Sequence, residues 1–248
     1  MKIVFVITDL GSFNNFLSEL ALELIKNPKI DLHVICSNHK VIDISDKNKF
    51  NSHNFHFHFL DIPRDVNIIN QLKVAYIIRK KLDEIKPQLI HAHFTTGILP
   101  TILLKNSVYI YWGTFHGLGM NSTTGIRKFL FTIVEFFCFY RLNKIFVLNN
   151  EDNLLLDKLK ISKKVKYSSK GIGCDINKFS MSKFNLSTIN KIKSELKISN
   201  QFVICFTGRF VDFKGFHLVI KSFLTLAYRF PAQFKLILLG GRDSIHSC

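Results

Sequence analysis

The sequence predicts an α/β protein: a Rossmann-like parallel sheet with helices on both faces, followed by part of a second Rossmann-like βαβ unit. Short β-branched runs alternate with stretches whose apolar residues recur at helical spacing, the order typical of parallel strands joined by crossover helices. In addition, 47% of the 248 residues are hydrophobic and 21% are charged, as in ordinary globular proteins. That length allows one large domain or two.

The first half of the chain predicts four strands and two helices. "KIVFVI" and "DLHVICS" are β-branched runs on either side of "FLSELALELIK", whose apolar residues have helical spacing, and "FHFHFL" alternates as a half-buried strand does. Residues 68–85 place apolar side chains on one helical face, with basic residues between them. Pro87 ends that helix, and "QLIHAHF" supplies the next strand.

The second half continues this pattern and then changes composition. After "VYIYWGTFHGLG", a hydrophobic helix around 129–140 leads to the strand "KIFVLN", the helix "NEDNLLLDKLK" and a strand in "KVKYSSKGIGCD". Because a polar segment follows, we predict two domains, at residues 1–178 and 179–248. The second contains only "FVICFTG", the helix "GFHLVIKSFLTLAYRF" and "FKLILLGG". A doubly wound domain typically has five or six strands, so this domain is predicted to be incomplete.

Charge and cysteine content restrict the class of protein. The formal net charge of +16 predicts attraction to phosphorylated small molecules, to an acidic membrane surface or to nucleic acid. The five cysteines form no C-x-x-C pair, which argues against a zinc site or a disulfide framework and favours a reducing cytoplasm. The longest apolar tract, "FLFTIVEFFCFY", has twelve residues, whereas a membrane span needs about 20. No segment is predicted to cross a membrane.

The stretch "FTGRFVDFKGFHLVIKSF" predicts a phosphate site. Gly208 and Arg209 follow a strand, and Lys214 lies near the start of a helix. The N-terminus of such a helix faces the carboxyl edge of the sheet and presents N–H groups and a partial positive charge. The Arg209 fork and the Lys214 point charge together suit a diphosphate. The spacing alone is equally consistent with two solvated surface cations on a basic protein.

Five motifs, in the correct order, resemble those of GT-B glycosyltransferases of family 4, in the branch that builds capsules, exopolysaccharides and O-antigens. The motifs are "KPQLIHAHF", "YWGTFHGLG", "IFVLNNEDNLLL", "GIGCDINKF" and "TGRFVDFKGFHLVIKSF". The resemblance implies two Rossmann-like domains that face a cleft, the first binding the acceptor and the second a nucleotide-sugar donor. It also implies that cationic side chains replace a metal, so that neither a metal nor another cofactor is expected.

The resemblance implies roles for individual residues. Arg209 and Lys214, with Gly208, match the site that holds the donor diphosphate and stabilises the leaving group. His116 matches the cleft histidine that contacts the donor sugar, the alternative being a core histidine. The acceptor and cleft loops are matched by three further residues, Gly11, His93 and Gly117. Packing or positioning is an equally good interpretation of His93.

The expected function is transfer of a sugar, with retention of configuration, from a nucleotide-sugar donor of the UDP type to a lipid-linked or growing glycan in bacterial surface polysaccharide biosynthesis. The expected location is cytoplasmic, peripheral on the inner face of the membrane.

The family carries a Glu-(x)7-Glu segment further along, whereas this chain ends in "RDSIHSC". The alternative is therefore an inactive, truncated product that retains the acceptor domain and the diphosphate clamp. Nucleic-acid binding rests on charge alone, and no specific nucleic-acid partner is expected.

Two further segments allow alternatives. "FHFHF" places His56 and His58 on one strand face, but two ligands without a carboxylate or a third histidine rarely bind a metal, so a half-buried strand with Phe on its other face is favoured. "IRKFLFTIVEFFCFYRLNK" is apolar, with basic residues at both ends. It is either a mainly buried helix, which we favour, or a helix that dips into an anionic membrane surface.

Overall fold

The structure is a computed structural model that describes residues 1–38, 50, 52–63, 67–167, 171–174, 176–177 and 179–241. The chain divides into two compact units, Met1–Gly173 and Cys174–Cys248, and the domain limits drawn from the sequence remain a prediction. Lys178, at the predicted limit, and the tail "RDSIHSC" lie outside the described residues. Among the described residues, Cys36, Cys138, Cys174 and Cys205 are free thiols.

The first unit contains the predicted parallel sheet. Its strands are β1 (Lys2–Asp9), β2 (Asp31–Ser37), β3 (Phe55–Phe59), β4 (Leu89–His93), β5 (Ile110–Phe115), β6 (Lys144–Val147) and β7 (Val165–Tyr167). They lie in the order β3-β2-β1-β4-β5-β6-β7, and every neighbouring pair is parallel. The strand order reverses between β1 and β4, and in open α/β sheets ligands bind at the carboxyl ends of the strands beside such a point.

Helices join these strands and cover the sheet. They are α1 (Leu10–Phe16), α2 (Ser18–Ile25), α3 (Ile68–Ile85), α4 (Thr95–Leu103), α5 (Gly119–Ser122), α6 (Gly125–Arg141) and α7 (Asn150–Lys158). The predicted bounds of α3 are confirmed. The sequence analysis did not predict α4, which contains Gly97 and Pro100, because these residues are typical of loops and bends.

Strand β1 separates the two parts of the hydrophobic core. Val4 and Val6 pack on one face with Ile78 of α3, and Phe5 and Ile7 pack on the other with α1. Successive strand residues point to opposite faces, so a strand buried on both sides reads as a continuous apolar run. The helices on both faces confirm the predicted fold class.

The expectation that α6 is mainly buried is wrong. Its buried residues are Glu135, Cys138 and Phe139. The opposite face carries large apolar side chains with relative exposures between 37% and 73%: Ile126, Phe129, Leu130, Ile133, Phe137 and Tyr140. Their spacing follows one stripe of a helix, so α6 has both a core face and an exposed apolar face. Among the described residues, no helix has both the length and the apolar character that crossing a bilayer requires.

The second unit contains the predicted βαβ element. Its elements are α8 (Leu186–Glu195), β8 (Phe202–Thr207), α9 (Phe216–Arg229) and β9 (Phe234–Leu239), and β8 pairs with β9 in parallel. The predicted apolar stripe of α9 is only half-buried along most of its length. Two of its predicted members, Leu224 and Phe230, are 62% and 45% exposed. The prediction that the whole stripe is packed against other residues is therefore wrong.

Candidate functional site

The carboxyl ends of β4 and β5 bring two histidines together. His93 is the last residue of β4, and His116 directly follows β5. Because β4 and β5 are parallel neighbours with His93 opposite Thr114, their carboxyl ends meet at the same edge of the sheet. The Nδ1 atom of His93 lies 3.3 Å from Nε2 of His116. The sequence motifs containing these residues therefore form one cluster in the structure.

His116 is enclosed by aromatic side chains. Its ring stacks on Phe94 with 4.0 Å between centroids and an 18° interplanar angle, and the ring of Phe16 lies 5.1 Å away. The Nδ1 atom of His116 and the Nε2 atom of His93 are buried without a hydrogen-bond partner among the described residues. Contact between a ring nitrogen of His116 and a substrate therefore requires a change of side-chain conformation.

Burial keeps these imidazoles neutral. Removal from water lowers the pKa of His116 to about 4 and that of His91, whose Nε2 lies 2.7 Å from Thr114 Oγ1, also to about 4. Burial, together with the two neighbouring histidines, lowers the pKa of His93 well below its usual value. At neutral pH, His116 thus carries one ring N–H and one lone pair, a combination suited to a hydroxyl group rather than to an anion.

Phe94 reaches its position over His116 through a strained backbone. Its φ of 62° with ψ of 149° is uncommon for a residue other than glycine and costs on the order of 1–3 kcal/mol. The Phe94 N–H donates to Thr114 O at 3.0 Å, which holds the residue against β5. The strain is therefore located directly at the His93–His116 pair.

A buried carboxylate on α6 fixes the loop that follows His116. Glu135 Oε1 accepts hydrogen bonds from the Gly119 N–H at 2.7 Å and from Thr95 Oγ1 at 2.9 Å, and Oε2 accepts one from the Met120 N–H at 3.0 Å. Burial raises the pKa of Glu135 above its ordinary value, and the three donors offset only part of that shift. Glu135 thus joins α6 to the start of α4 and to the start of α5.

A second buried carboxylate, Asp152 on α7, holds the same loop. Its Oδ2 accepts from the Leu118 N–H at 2.9 Å and its Oδ1 from Asn121 Nδ2 at 3.0 Å. Gly117, with φ of 130°, has a backbone conformation that favours glycine. A Cβ on Gly119 would lie 2.3 Å from the Phe131 ring, so α6 approaches this residue too closely for a side chain.

Sequence analysis missed the roles of Glu135 and Asp152. Both lie in motifs that it quoted, but neither was assigned to the site. The available signal was the single acidic residue within the apolar tract of α6. A carboxylate buried there requires hydrogen-bond donors from other segments.

Gly11 lies at the same edge of the sheet but in a different local structure from the one predicted. Asp9 Oδ1 accepts a hydrogen bond from the Ser12 N–H at 2.9 Å, which starts α1 directly after β1. Gly11 is therefore in the first turn of a helix, and the predicted loop is wrong at this position.

The predicted diphosphate residues lie together within the second unit. Gly208 follows β8, and its N–H donates to Leu239 O at 2.9 Å. Arg209 is exposed, and the exposed Lys214 ends the 3-10 turn Asp212–Lys214. Helix α9 begins at Phe216, after Gly215 with φ of 72°, and its N-cap makes no side-chain hydrogen bond. Lys214 thus precedes the helix rather than starting it.

The loops that follow β8 and β9 also contact each other. A Cβ on Gly240 would lie 1.9 Å from Gly208 O, so position 240 has no space for a side chain. This close backbone contact holds the segment that leads into Arg209 against the end of β9.

None of these residues belongs to a metal-binding cluster. Over the described part of the chain, metal-ligand side chains converge once, at Asp31, His33 and His56. These residues lie near the amino ends of β2 and β3, whereas the histidine pair lies at the carboxyl edge.

Comparison with known proteins gives matches over the whole described fold. A family model described as "Glycosyl transferase 4-like" matches residues 2–149. The capsular polysaccharide biosynthesis glycosyltransferase CapM of Staphylococcus aureus is 22% identical over 232 residues, which are 91% of this chain and 58% of that protein.

Solved structures share the fold at low sequence identity. Sucrose-phosphate synthase from Thermosynechococcus elongatus superimposes with a TM-score of 0.70 at 15% identity, covering all of this chain and 64% of that one. HepE of Anabaena, solved in complex with UDP and glucose, gives a TM-score of 0.64 at 20% identity over 98% of this chain and 62% of its own. The chain thus spans less than two thirds of these relatives.

The neutral histidines predict a loss of stability in acid. An unfolded histidine has a pKa of about 6.5, so between pH 6.5 and pH 4 the unfolded chain binds protons that folded His116 does not bind. The stabilisation is therefore complete above about pH 6.5 and is lost as the pH falls towards 4. We expect His116→Gln to reduce the loss of unfolding free energy between pH 7 and pH 4.5 by about 2 kcal/mol, measured by urea denaturation. The control is His53→Gln at an exposed histidine, and equal pH dependence of His116→Gln and wild type would contradict the prediction.

Glu135→Ala tests how the loop is held. The change leaves two N–H groups and one hydroxyl without their acceptor, at roughly 1–3 kcal/mol for each buried group. We expect the free energy of unfolding to fall by about 3 kcal/mol or more. It is measured by chemical denaturation, with the fluorescence of Trp112 as the signal. Glu23→Ala removes an exposed carboxylate that pairs with Lys26, and its effect should stay within about 0.5 kcal/mol. Equal losses in the two variants would exclude the proposed anchoring.

Proposed function

Because the chain belongs to the glycosyl transferase 4-like family, we propose that it acts in the transfer of a sugar from a UDP-sugar to a lipid-linked or growing glycan of a bacterial surface polysaccharide. The observation that carries this proposal is the family match over residues 2–149, which spans most of the first unit. The capsular relative supports the polysaccharide pathway, and the neighbour solved with UDP and glucose supports a UDP-linked donor.

The chemistry of the proposed reaction suits the residues that follow β8. As the bond between sugar and diphosphate breaks, negative charge develops on the leaving diphosphate. The Arg209 guanidinium supplies a bidentate fork and Lys214 a compact charge. The first N–H groups of α9 would donate to an anion bound at this helix terminus. These cations take the role that a metal has in other transferases, and no cofactor besides the donor is required. The sugar keeps its anomeric configuration.

The first unit is the proposed acceptor side. Gly11, His93, His116 and Gly117 lie at the carboxyl edge of its sheet, beside the reversal of strand order. His116 is proposed to contact the donor sugar: after the change of side-chain conformation that its burial requires, the neutral imidazole suits hydrogen bonding to sugar hydroxyls, and the carboxylates of Glu135 and Asp152 hold its loop. These features support a site in which hydroxyl groups are oriented.

The exposed face of α6 supports a peripheral position on the inner face of the cytoplasmic membrane. Its apolar stripe is accompanied by basic residues, Arg127 and Lys128 at one end and Arg141 and Lys144 at the other. Apolar side chains enter the boundary between headgroups and acyl chains, and each nearby Lys or Arg adds about 1 kcal/mol on an anionic surface. A lipid-linked acceptor would be presented at this surface.

Arg209→Ala tests the donor site. Removal of a charged hydrogen-bond donor to a diphosphate costs about 1.5–3 kcal/mol, so we expect UDP affinity to fall by roughly 10- to 100-fold, measured by isothermal titration calorimetry. The matched control is Arg229→Ala in the last turn of α9, which should leave the affinity unchanged. Unchanged affinity in Arg209→Ala would contradict the assigned phosphate contact.

Vesicle binding tests the α6 surface. We expect sedimentation with vesicles that contain phosphatidylglycerol and little sedimentation with pure phosphatidylcholine, because both charge and apolar area contribute. The double variant Phe129→Ser, Ile133→Ser should weaken the binding at least about tenfold. Tyr76→Ser, at a residue of α3 that is 66% exposed, is the control. Binding that is equal in both variants would exclude α6 as the membrane surface.

A further inference from the structure

Three side chains with metal-binding groups converge near the amino ends of β2 and β3. His33 lies opposite His56 in the parallel pairing of the two strands, and Asp31 precedes His33 by two residues, on the same face of β2. The ligand atoms of Asp31, His33 and His56 all lie within 4.8 Å of one another. The segment "FHFHF" alone does not predict a metal site, because it has neither a carboxylate nor a third histidine, but the neighbouring strand β2 supplies both.

The distances within this cluster suit a shared cation. Asp31 Oδ2 lies 3.4 Å from His33 Nε2, and Asp31 Oδ1 lies 3.1 Å from His56 Nε2. Tetrahedral zinc holds nitrogen and oxygen ligands at about 2.0–2.1 Å, which places two ligand atoms about 3.3 Å apart. The two separations from Asp31 are therefore close to the edge of a zinc coordination tetrahedron, and the third, between the two histidines, is within 4.8 Å.

The geometry of these contacts leaves two polar atoms unsatisfied. Asp31 Oδ1 and His33 Nε2 are buried, and neither has a hydrogen-bond partner among the described residues. A buried polar atom without a partner is uncommon and costs free energy. A cation between the three side chains would satisfy both atoms at once, which a proton shared between two of them does not.

His58 orients His33 as a ligand. The Nδ1 atom of His33 lies 2.9 Å from Nε2 of His58, and the two rings stack at 5.2 Å with an interplanar angle of 17°. When His33 Nδ1 carries the proton and donates it to His58, its Nε2 presents a lone pair towards Asp31 and His56. A hydrogen bond to the second ring nitrogen is the usual way in which a metal-binding histidine is fixed.

We propose that Asp31, His33 and His56 bind one zinc ion, with water completing the coordination. Two imidazoles and one carboxylate form a donor set that suits zinc. The side chains of Asp31 and His56 are 33% and 42% exposed, which leaves an entry path for the ion. The site joins the first residues of β2 to those of the edge strand β3, and it is independent of the proposed donor chemistry at Arg209.

The test uses the whole chain, purified without a polyhistidine tag and stripped of metal by a chelator. Co²⁺ is titrated as the spectroscopic probe, and Zn²⁺ is then measured by competition. We expect about one Co²⁺ per chain, with the intense visible absorption of a four-coordinate ion. His56→Ala and Asp31→Asn should each lower Zn²⁺ affinity at least about tenfold, and so should His58→Phe, which removes the orienting hydrogen bond. His53→Ala, at an exposed histidine close to β3, should bind as wild type does.

Thermal unfolding supplies a second measurement. Zinc should raise the unfolding temperature of wild type and of His53→Ala, because binding to the folded state alone stabilises it, and it should not raise that of His56→Ala. Because His56 is partly exposed, His56→Ala is expected to fold. Its unfolding temperature without metal, compared with that of metal-free wild type, checks this. The proposal is overturned if wild type and folded His56→Ala bind Zn²⁺ equally, or if neither binds it.

Discussion

The burial of β1 on both faces is the constraint on which the first unit depends. From Ile3 to Asp9 no residue of this strand is more than 5% exposed, so its backbone groups must pair on both edges and its side chains must be covered on both faces. β2 and β4 meet the first requirement and two helical layers meet the second. The strand order reverses between β1 and β4, and the carboxyl ends of β1, β4 and β5 present their loops at one edge.

The two candidate sites differ in how they treat charge. Within the first unit, the histidines at the sheet edge are buried and uncharged, and the loop beside them is held by carboxylates that accept backbone N–H groups. Within the second unit, Arg209 and Lys214 are exposed. A neutral imidazole suits hydroxyl groups, whereas exposed cations attract phosphorylated ligands from solution.

The spacing of apolar residues was enough to predict most helices and strands. The features that were not predicted depend on contacts between residues far apart in the sequence. The bounds of α3 and the βαβ order of the second unit follow from apolar spacing. The pairing of His93 with His116 was not predicted, because it depends on β4 and β5 being neighbours in the sheet. Helix α4 was missed because Gly97 and Pro100 are tolerated only in its packed environment. The partners of Glu135 could not be predicted from spacing, because they lie on other elements. The approach of Asp31 to His56 depends on the register of β2 against β3, which no local pattern specifies.

Glu135 holds its loop through backbone N–H groups and not through the side chains of the loop. Because nearly every residue type has a backbone N–H, these hydrogen bonds do not depend on which side chains the loop carries. Apart from the glycines that the packing requires, exposed positions beside His116 are free to diverge between related proteins while the loop keeps one conformation. A change of ligand preference at this edge of the sheet would therefore not require a new backbone.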